Sequence, residues 1–210
     1  MSILNEIQEQ LQKGKAKVVT AKVEEALSAG VAPQELMQTL LDAMAVIGER
    51  FKRDEVFVPD VMIAARAMNR GLAALKPHLL GAGVEPIGRA CIGTVKGDLH
   101  DIGKNLVKMM LEGRGFEVID LGVDVAPETF VKTAIEQNCD LICCSALLTT
   151  TMTAMDEVVK AAEAAGIRDK VKIMVGGAPV DQRFCDHIGA DAYTRDAAST
   201  ADAAAAFMGK

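Results

Sequence analysis

The stretch Ala90-Cys91-Ile92-Gly93-Thr94-Val95-Lys96-Gly97-Asp98-Leu99-His100-Asp101-Ile102-Gly103 decides how this chain folds. Ala90 to Val95 form a short apolar run, as expected of a strand buried on both faces, and from Ile102 to Leu111 the apolar residues recur with helical spacing. A strand therefore feeds a helix through a loop that holds a histidine, two carboxylates and two glycines. The same unit recurs as 117–120 then 127–137, 140–145 then 152–165, 171–175 then 179–188, and 190–193 then 196–208. Strands alternating with helices of this length pair in parallel, because the right-handed crossover between parallel neighbours needs a helix. Residues 89–210 thus read as a doubly wound α/β domain with a parallel, Rossmann- or flavodoxin-like sheet.

Upstream the period is helical throughout. Ile3, Leu4, Ile7 and Leu11 recur at one-turn spacing, as do Leu36, Leu40, Met44 and Ile47, and no strand pattern interrupts them. Breaks fall near Gly14, at Ala29-Gly30-Val31-Ala32-Pro33 and at Phe57-Val58-Pro59, where Pro33 and Pro59 suit the first turn of a following helix. Four short helices result over residues 1–82, and one apolar stripe on each predicts a small bundle. Lys76-Pro77 is expected to close the last helix, with a linker over 83–88 in a stretch that contains Gly81, Gly83 and Pro86.

A chain of 210 residues, 50% apolar, can hold one large or two small cores. The net charge of −6 offers no basic face for a phosphate backbone, so nucleic acid is not an expected partner. Met1 to Glu6 lack a signal-like segment and no apolar stretch approaches membrane-spanning length, which predicts a soluble cytoplasmic protein with no membrane partner. Cys91, Cys139, Cys143, Cys144 and Cys185 are scattered, odd in number and set among apolar residues, which fits a reducing compartment. Adjacent strand positions point to opposite faces, so Cys143-Cys144 reads as buried packing rather than a metal site.

In open parallel sheets ligands gather outside the carboxyl ends of the strands, here the loops after Val95, Ser145 and Val175. The first is Lys96 to Asn105; the second, Ser145-Ala146-Leu147-Leu148-Thr149-Thr150-Thr151, is rich in hydroxyls and methyls. The third, Gly176-Gly177-Ala178-Pro179, lets a flat ligand run against backbone. Taken one by one, these residues have plainer readings. A histidine at a helix start is ordinarily a hydrogen-bonding residue, Thr149-Thr150-Thr151 can cap the next helix, and Phe51 and Val58 can be bundle core. His78 and His187 read as structural, and Asp101 as solvent-exposed.

Together they carry a resemblance. Asp98-x-His100-x-x-Gly103, then Ser145-x-Leu147, then Gly176-Gly177, resembles the signature of cobalamin-binding domains that hold the cofactor base-off with a histidine on cobalt. Phe51-Lys52-Arg53-Asp54-Glu55-Val56-Phe57-Val58-Pro59 resembles the cap segment of methionine synthase and of the small corrinoid proteins of anaerobic methyl transfer. The likeness covers essentially the whole chain and is nearer to the free-standing corrinoid proteins. It implies cobalamin or a related corrinoid, methylcobalamin when loaded, with His100 as the lower ligand to cobalt. A ligating imidazole gives its other N–H to a carboxylate, which fixes the tautomer, and Asp98 is near enough in sequence to receive it. The resemblance adds Thr151 as a hydroxyl beneath Asp98, so that His100, Asp98 and Thr151 form a proton relay. It places Gly97, Leu99, Asp101, Ile102 and Gly103 in the cofactor loop. Ser145 and Leu147 line the slot for the displaced nucleotide tail, Gly176 and Gly177 leave room for its base, and Thr149 and Ala178 are also expected to be cofactor-binding. Phe51 and Val58 cover the carried methyl.

The function so implied is a methyl shuttle. It accepts a methyl group on Co(I) from a substrate:corrinoid methyltransferase and donates it from methyl-Co(III) to a corrinoid:tetrahydrofolate or corrinoid:thiol methyltransferase, with a reductive activase to rescue Co(II). Alone it would catalyse little. The alternative is a cobalamin-dependent sensor; a phospho-receiver or nucleotide-binding domain lacks its acidic pocket or Gly-x-Gly-x-x-Gly turn here. Methyl donor, acceptor, native lower base and oligomeric state are not written in these residues.

Overall fold

The computed structural model describes residues 2–79 and 85–210, with Leu79 described in its backbone alone. The expected domain boundary at 82 and the start of the expected linker at 83 lie outside the described residues. The chain divides into two compact units, residues 1–85 with 113–115, and residues 86–112 with 116–210.

The first unit is helical among its described residues: α1 (Ile3–Gln12), α2 (Ala16–Ser28), α3 (Pro33–Lys52) and α4 (Val58–Leu79). Ser2 caps α1 by accepting the Asn5 N–H, and Pro33 opens α3, where its missing N–H is unneeded. Leu36, Leu40, Met44 and Ile47 are buried along one stripe of α3, and α4 packs on α2 and α3. Gly71 permits that approach, since a Cβ there would lie 3.0 Å from Leu40 Cδ1 and 3.1 Å from Val19 Cγ1. Two expectations need correction. The helices α3 and α4, of 20 and 22 residues, are not short, and α4 runs through Pro77 instead of ending before it. Lys76, Pro77 and His78 are exposed, so water can replace the one backbone donor that Pro77 removes in the last turn.

The second unit has five strands among the described residues: β1 (Arg89–Val95), β2 (Glu117–Val125), β3 (Leu141–Ser145), β4 (Lys172–Gly176) and β5 (Ala192–Tyr193). All pairs are parallel and the order is β2-β1-β3-β4-β5, the flavodoxin-like winding. Between them run α5 (Ile102–Gly113), α6 (Pro127–Glu136), α7 (Thr153–Ala164) and α8 (Gln182–Ile188), with α9 (Ala197–Phe207) at the end. Cys91, Phe130, Ile142, Met155, Val158 and Ile173 are fully buried in the core. Strand β2 extends past the expected 117–120 because its pairing with β1 slips twice. Ile92 pairs with Asp120, but Gly93 pairs with Gly122 and Val95 with Val125. Helix α8 starts later than expected, at Gln182, where the Asp181 side chain accepts the Phe184 N–H.

Candidate functional site

The strand order reverses direction between β1 and β3, so the loops that follow those two strands open a crevice at the carboxyl edge of the sheet. Their meeting point is Asp98, which is fully buried. Its Oδ1 lies 2.7 Å from His100 Nδ1 and accepts the His100 N–H at 3.1 Å. Its Oδ2 accepts the N–H of Leu147 at 2.8 Å, the N–H of Leu148 at 3.2 Å and the Thr151 hydroxyl at 2.8 Å. Burial by itself would push this carboxyl up. The donors from Leu147, the His100 ring, the His100 N–H and Thr151 outweigh it and hold the group well below the usual carboxylate range.

An ionised carboxylate only accepts hydrogen bonds, so the proton in the Asp98–His100 bond sits on Nδ1. Nε2 is the ring nitrogen not committed to Asp98, and the side chain is 52% exposed. Thr151 has one hydroxyl proton and two acceptors, Asp98 Oδ2 and the Leu148 carbonyl at 2.9 Å; the charged oxygen is the stronger. Its side chain is therefore occupied with Asp98, and α7 begins at Thr153 without a side-chain cap. Behind the loop, the buried Thr94 donates to the His100 carbonyl at 2.7 Å.

The other residues expected at the site are divided between the two units. Leu99, Ile102, Leu147 and Leu148 are exposed apolar side chains in the two loops that meet at Asp98, 70% and 74% exposed for the first two. Gly97, Asp101, Gly103 and Thr149 are exposed, and Ser145 is half-buried at the end of β3. Gly176 ends β4 and is half-buried, while Gly177 and Ala178 are exposed. The two glycines differ in kind. A Cβ on Gly176, or on Gly103, would meet open space, whereas one on Gly177 would lie 1.8 Å from the Ala146 carbonyl oxygen. Gly177 is thus required by the approach of backbone to backbone, whatever binds nearby. Phe51 lies in the last turn of α3 and Val58 begins α4; both are half-buried, and between the two helices Val56 is buried and Phe57 exposed. His78 and His187 are exposed side chains remote in sequence from these loops.

Among the described residues no group of three or more His, Cys, Asp or Glu converges as a metal cage. A bare ion would find one imidazole nitrogen at His100. A metal that brings its own equatorial ligands needs no more than one, and the apolar side chains and the open space at Gly103 and Gly176 suit a flat macrocycle with a trailing chain. The five cysteines are free and buried, and no helix among the described residues is long and apolar enough to cross a membrane.

Sequence reading missed three contributors. Leu148 and Thr94 act through a backbone N–H and a buried hydroxyl that no local pattern marks. Asp124, on β2, reaches the Gly97 N–H at 2.7 Å across a sequence separation of 27.

Residues 88–206 match the B12 binding domain family, and residues 3–76 match a second B12 binding domain model. The chain is 46% identical over 177 residues to trimethylamine corrinoid protein 1 of Methanosarcina acetivorans, covering 83% of this chain and 82% of that protein. It is 44% identical over 197 residues to the dimethylamine corrinoid protein of Methanosarcina barkeri, covering 93% and 92%. Among solved structures it resembles a chain of the methanol:cobalamin methyltransferase complex MtaBC from Methanosarcina barkeri. There the TM-score is 0.90 at 30% identity, over 99% of this chain and 80% of that one.

Proposed function

The chain belongs to the B12-binding domain family, and from that premise we propose that it is a corrinoid-carrying methyl shuttle whose one protein ligand to cobalt is His100. The observation that carries the reading is the fixed imidazole, Nδ1 facing Asp98 at 2.7 Å and Nε2 turned away from that anchor. When bound, the corrinoid supplies a cobalt centre that takes a methyl group as Co(I) and releases it as methyl-Co(III).

The chain's own residues supply the rest. Asp98 holds the tautomer and strengthens the donor nitrogen, and Thr151, Leu147 and Leu148 hold Asp98. His100, Asp98 and Thr151 form one hydrogen-bonded chain from the imidazole to the hydroxyl. Leu99, Ile102, Leu147 and Leu148 would offer apolar contact to the macrocycle. Ser145 and Thr149 supply hydroxyls along the slot beside Gly176, where a nucleotide tail finds room.

For the donor we infer a methylamine, because the trimethylamine and dimethylamine corrinoid proteins are nearer in sequence than the methanol system. A substrate-specific methyltransferase loads the shuttle; a tetrahydrofolate- or thiol-dependent methyltransferase unloads it, and a reductive activase returns oxidised cobalt to Co(I). Likeness to a chain of a methyltransferase complex supports the first of these. Five buried free cysteines and a net charge of −6 favour a cytoplasmic protein without nucleic-acid or membrane partners.

Loading the protein anaerobically with cob(I)alamin, then adding trimethylamine or dimethylamine with its methyltransferase, tests this. Growth of the methyl-cobalt absorption, and its loss on addition of a thiol acceptor and second methyltransferase, is the expected result. A loaded protein that none of the methylamine, methanol or aryl methyl ether enzymes can methylate would overturn the shuttle.

A further inference from the structure

Asp124 ties the histidine loop to a neighbouring strand from both directions. Its Oδ1 accepts the Gly97 N–H at 2.7 Å, and its own N–H donates to the Asp98 carbonyl at 3.0 Å. The backbone from Gly97 to Asp98 is therefore clasped on its donor side and on its acceptor side by one residue. An ordinary strand could not offer this clasp. Strand β2 pairs in step with β1 as far as Asp120 and then slips at two places before Val125 returns to face Val95. The slack is taken up by left-handed backbone at Gly122 (φ 85) and Asp124 (φ 54). A non-glycine residue adopts that region rarely, aspartate more readily than most, and bulges beside sites characteristically re-aim a side chain. Gly97 is left-handed as well, with φ 83, so both partners of the clasp have unusual backbone. Asp124 is exposed, so water can take the place of its carboxylate at the Gly97 N–H when the side chain is removed.

We propose that Asp124 is a positioning residue for His100. By fixing the Gly97–Asp98 backbone it sets the direction of the Asp98 carboxylate and, through the 2.7 Å bond to Nδ1, the direction of the imidazole. Thr94 restrains the far end of the same loop through the His100 carbonyl. The inference rests on the reading of His100 as the lower ligand and deepens it: the bulges of β2 are there to hold a metal ligand in place.

Two substitutions separate side chain from backbone. Asp124→Asn keeps an acceptor and tolerates left-handed φ; Asp124→Gly keeps the backbone and removes the acceptor. In the cofactor-free protein, amide exchange at Gly97 should resemble wild type in Asp124→Asn and run about five-fold faster in Asp124→Gly, as loss of one hydrogen bond implies. In protein loaded with cob(II)alamin, the ratio of imidazole-coordinated to uncoordinated cobalt, read by electron paramagnetic resonance, should fall about five-fold in Asp124→Gly and hold in Asp124→Asn. Melting midpoints should stay close to wild type in both. Wild-type exchange and coordination in Asp124→Gly would overturn the positioning role, and so would a collapse of its melting midpoint, which would make Asp124 a residue of the fold. Wild-type protein without imidazole on cobalt would instead overturn the ligand reading beneath it.

Discussion

The Nδ1 atom of His100 lies 2.7 Å from Oδ1 of Asp98, a carboxylate with no exposed surface. Two residues apart in sequence, they form a short side-chain bond that leaves one ring nitrogen committed and the other available. Asp98 can stay charged while buried because five protein donors converge on it, from Leu147, Leu148, Thr151 and, twice, His100.

Thr151 should therefore be replaceable by a hydroxyl and by nothing else of its shape. Thr151→Ser is expected to melt within about 0.5 kcal/mol of wild type, whereas Thr151→Val, which leaves Asp98 one donor short, should lose about 1–3 kcal/mol. Chemical denaturation of the cofactor-free proteins measures both. Equal stability of Val and Ser variants would mean that the hydroxyl does not serve Asp98.

Acid should weaken the fold partly through Asp120. Burial pushes its carboxyl up, but Lys104 at 2.5 Å, the Gly122 N–H and Lys108 draw it below the ordinary carboxylate value. A group with a depressed folded pKa stabilises fully above its unfolded value of about 3.9 and loses that contribution as pH falls through the folded one. Wild type should exceed Asp120→Asn in stability at pH 7, and the gap should close as pH falls below about 4. Thermal melts across that range decide it; a gap independent of pH would contradict the assignment.

The two glycines after β4 should respond oppositely to alanine. Gly177→Ala puts a Cβ 1.8 Å from the Ala146 carbonyl at a φ of +133, and it is expected to cost about 3 kcal/mol or more of stability. Gly176→Ala meets open space, so the fold should tolerate it while the added methyl narrows the slot and weakens cobalamin binding. Melting and cobalamin titration of the two variants distinguish these effects. Unaltered cobalamin binding by Gly176→Ala would remove Gly176 from the slot.

Thiol reagents should spare β3. Burial pushes the Cys143 thiol up to about 12, and Cys144 is raised by the same cause, so neither supplies thiolate at pH 8. Mass spectrometry after brief alkylation of folded protein should find both unmodified, and both modified once the chain is denatured. Rapid labelling of either in the folded state would contradict the tight packing of the sheet.

Much of this architecture was legible because it is local. The shift from helical to strand-helix periodicity separates the two halves, and Ala90 to Val95 reads as a strand because β1, flanked by β2 and β3, is buried on both faces. The doubly wound sheet followed directly. The misreadings have physical causes as well. Pro77 reads as a stop in the sequence, but at an exposed last turn the missing N–H is replaceable by water. The second half of β2 lacks an apolar run because Gly122 interrupts it and Asp120 and Asp124 reach α5 and the histidine loop rather than the core. Within the site, the structure brings His100, Asp98 and Thr151 within hydrogen-bonding distance of one another through Asp98. The clasp at Asp124 and the donors from Leu147 and Leu148 depend on long-range register, which spacing along the chain does not encode.

The most direct test of the central claim uses protein grown with histidine labelled with nitrogen-15, loaded with unlabelled cob(II)alamin and examined by electron paramagnetic resonance. A protein imidazole on cobalt should turn the triplet superhyperfine pattern of nitrogen-14 into doublets, and His100→Ala should abolish the coupling. A triplet unchanged by the label would put the cofactor's own base on the metal and contradict the account.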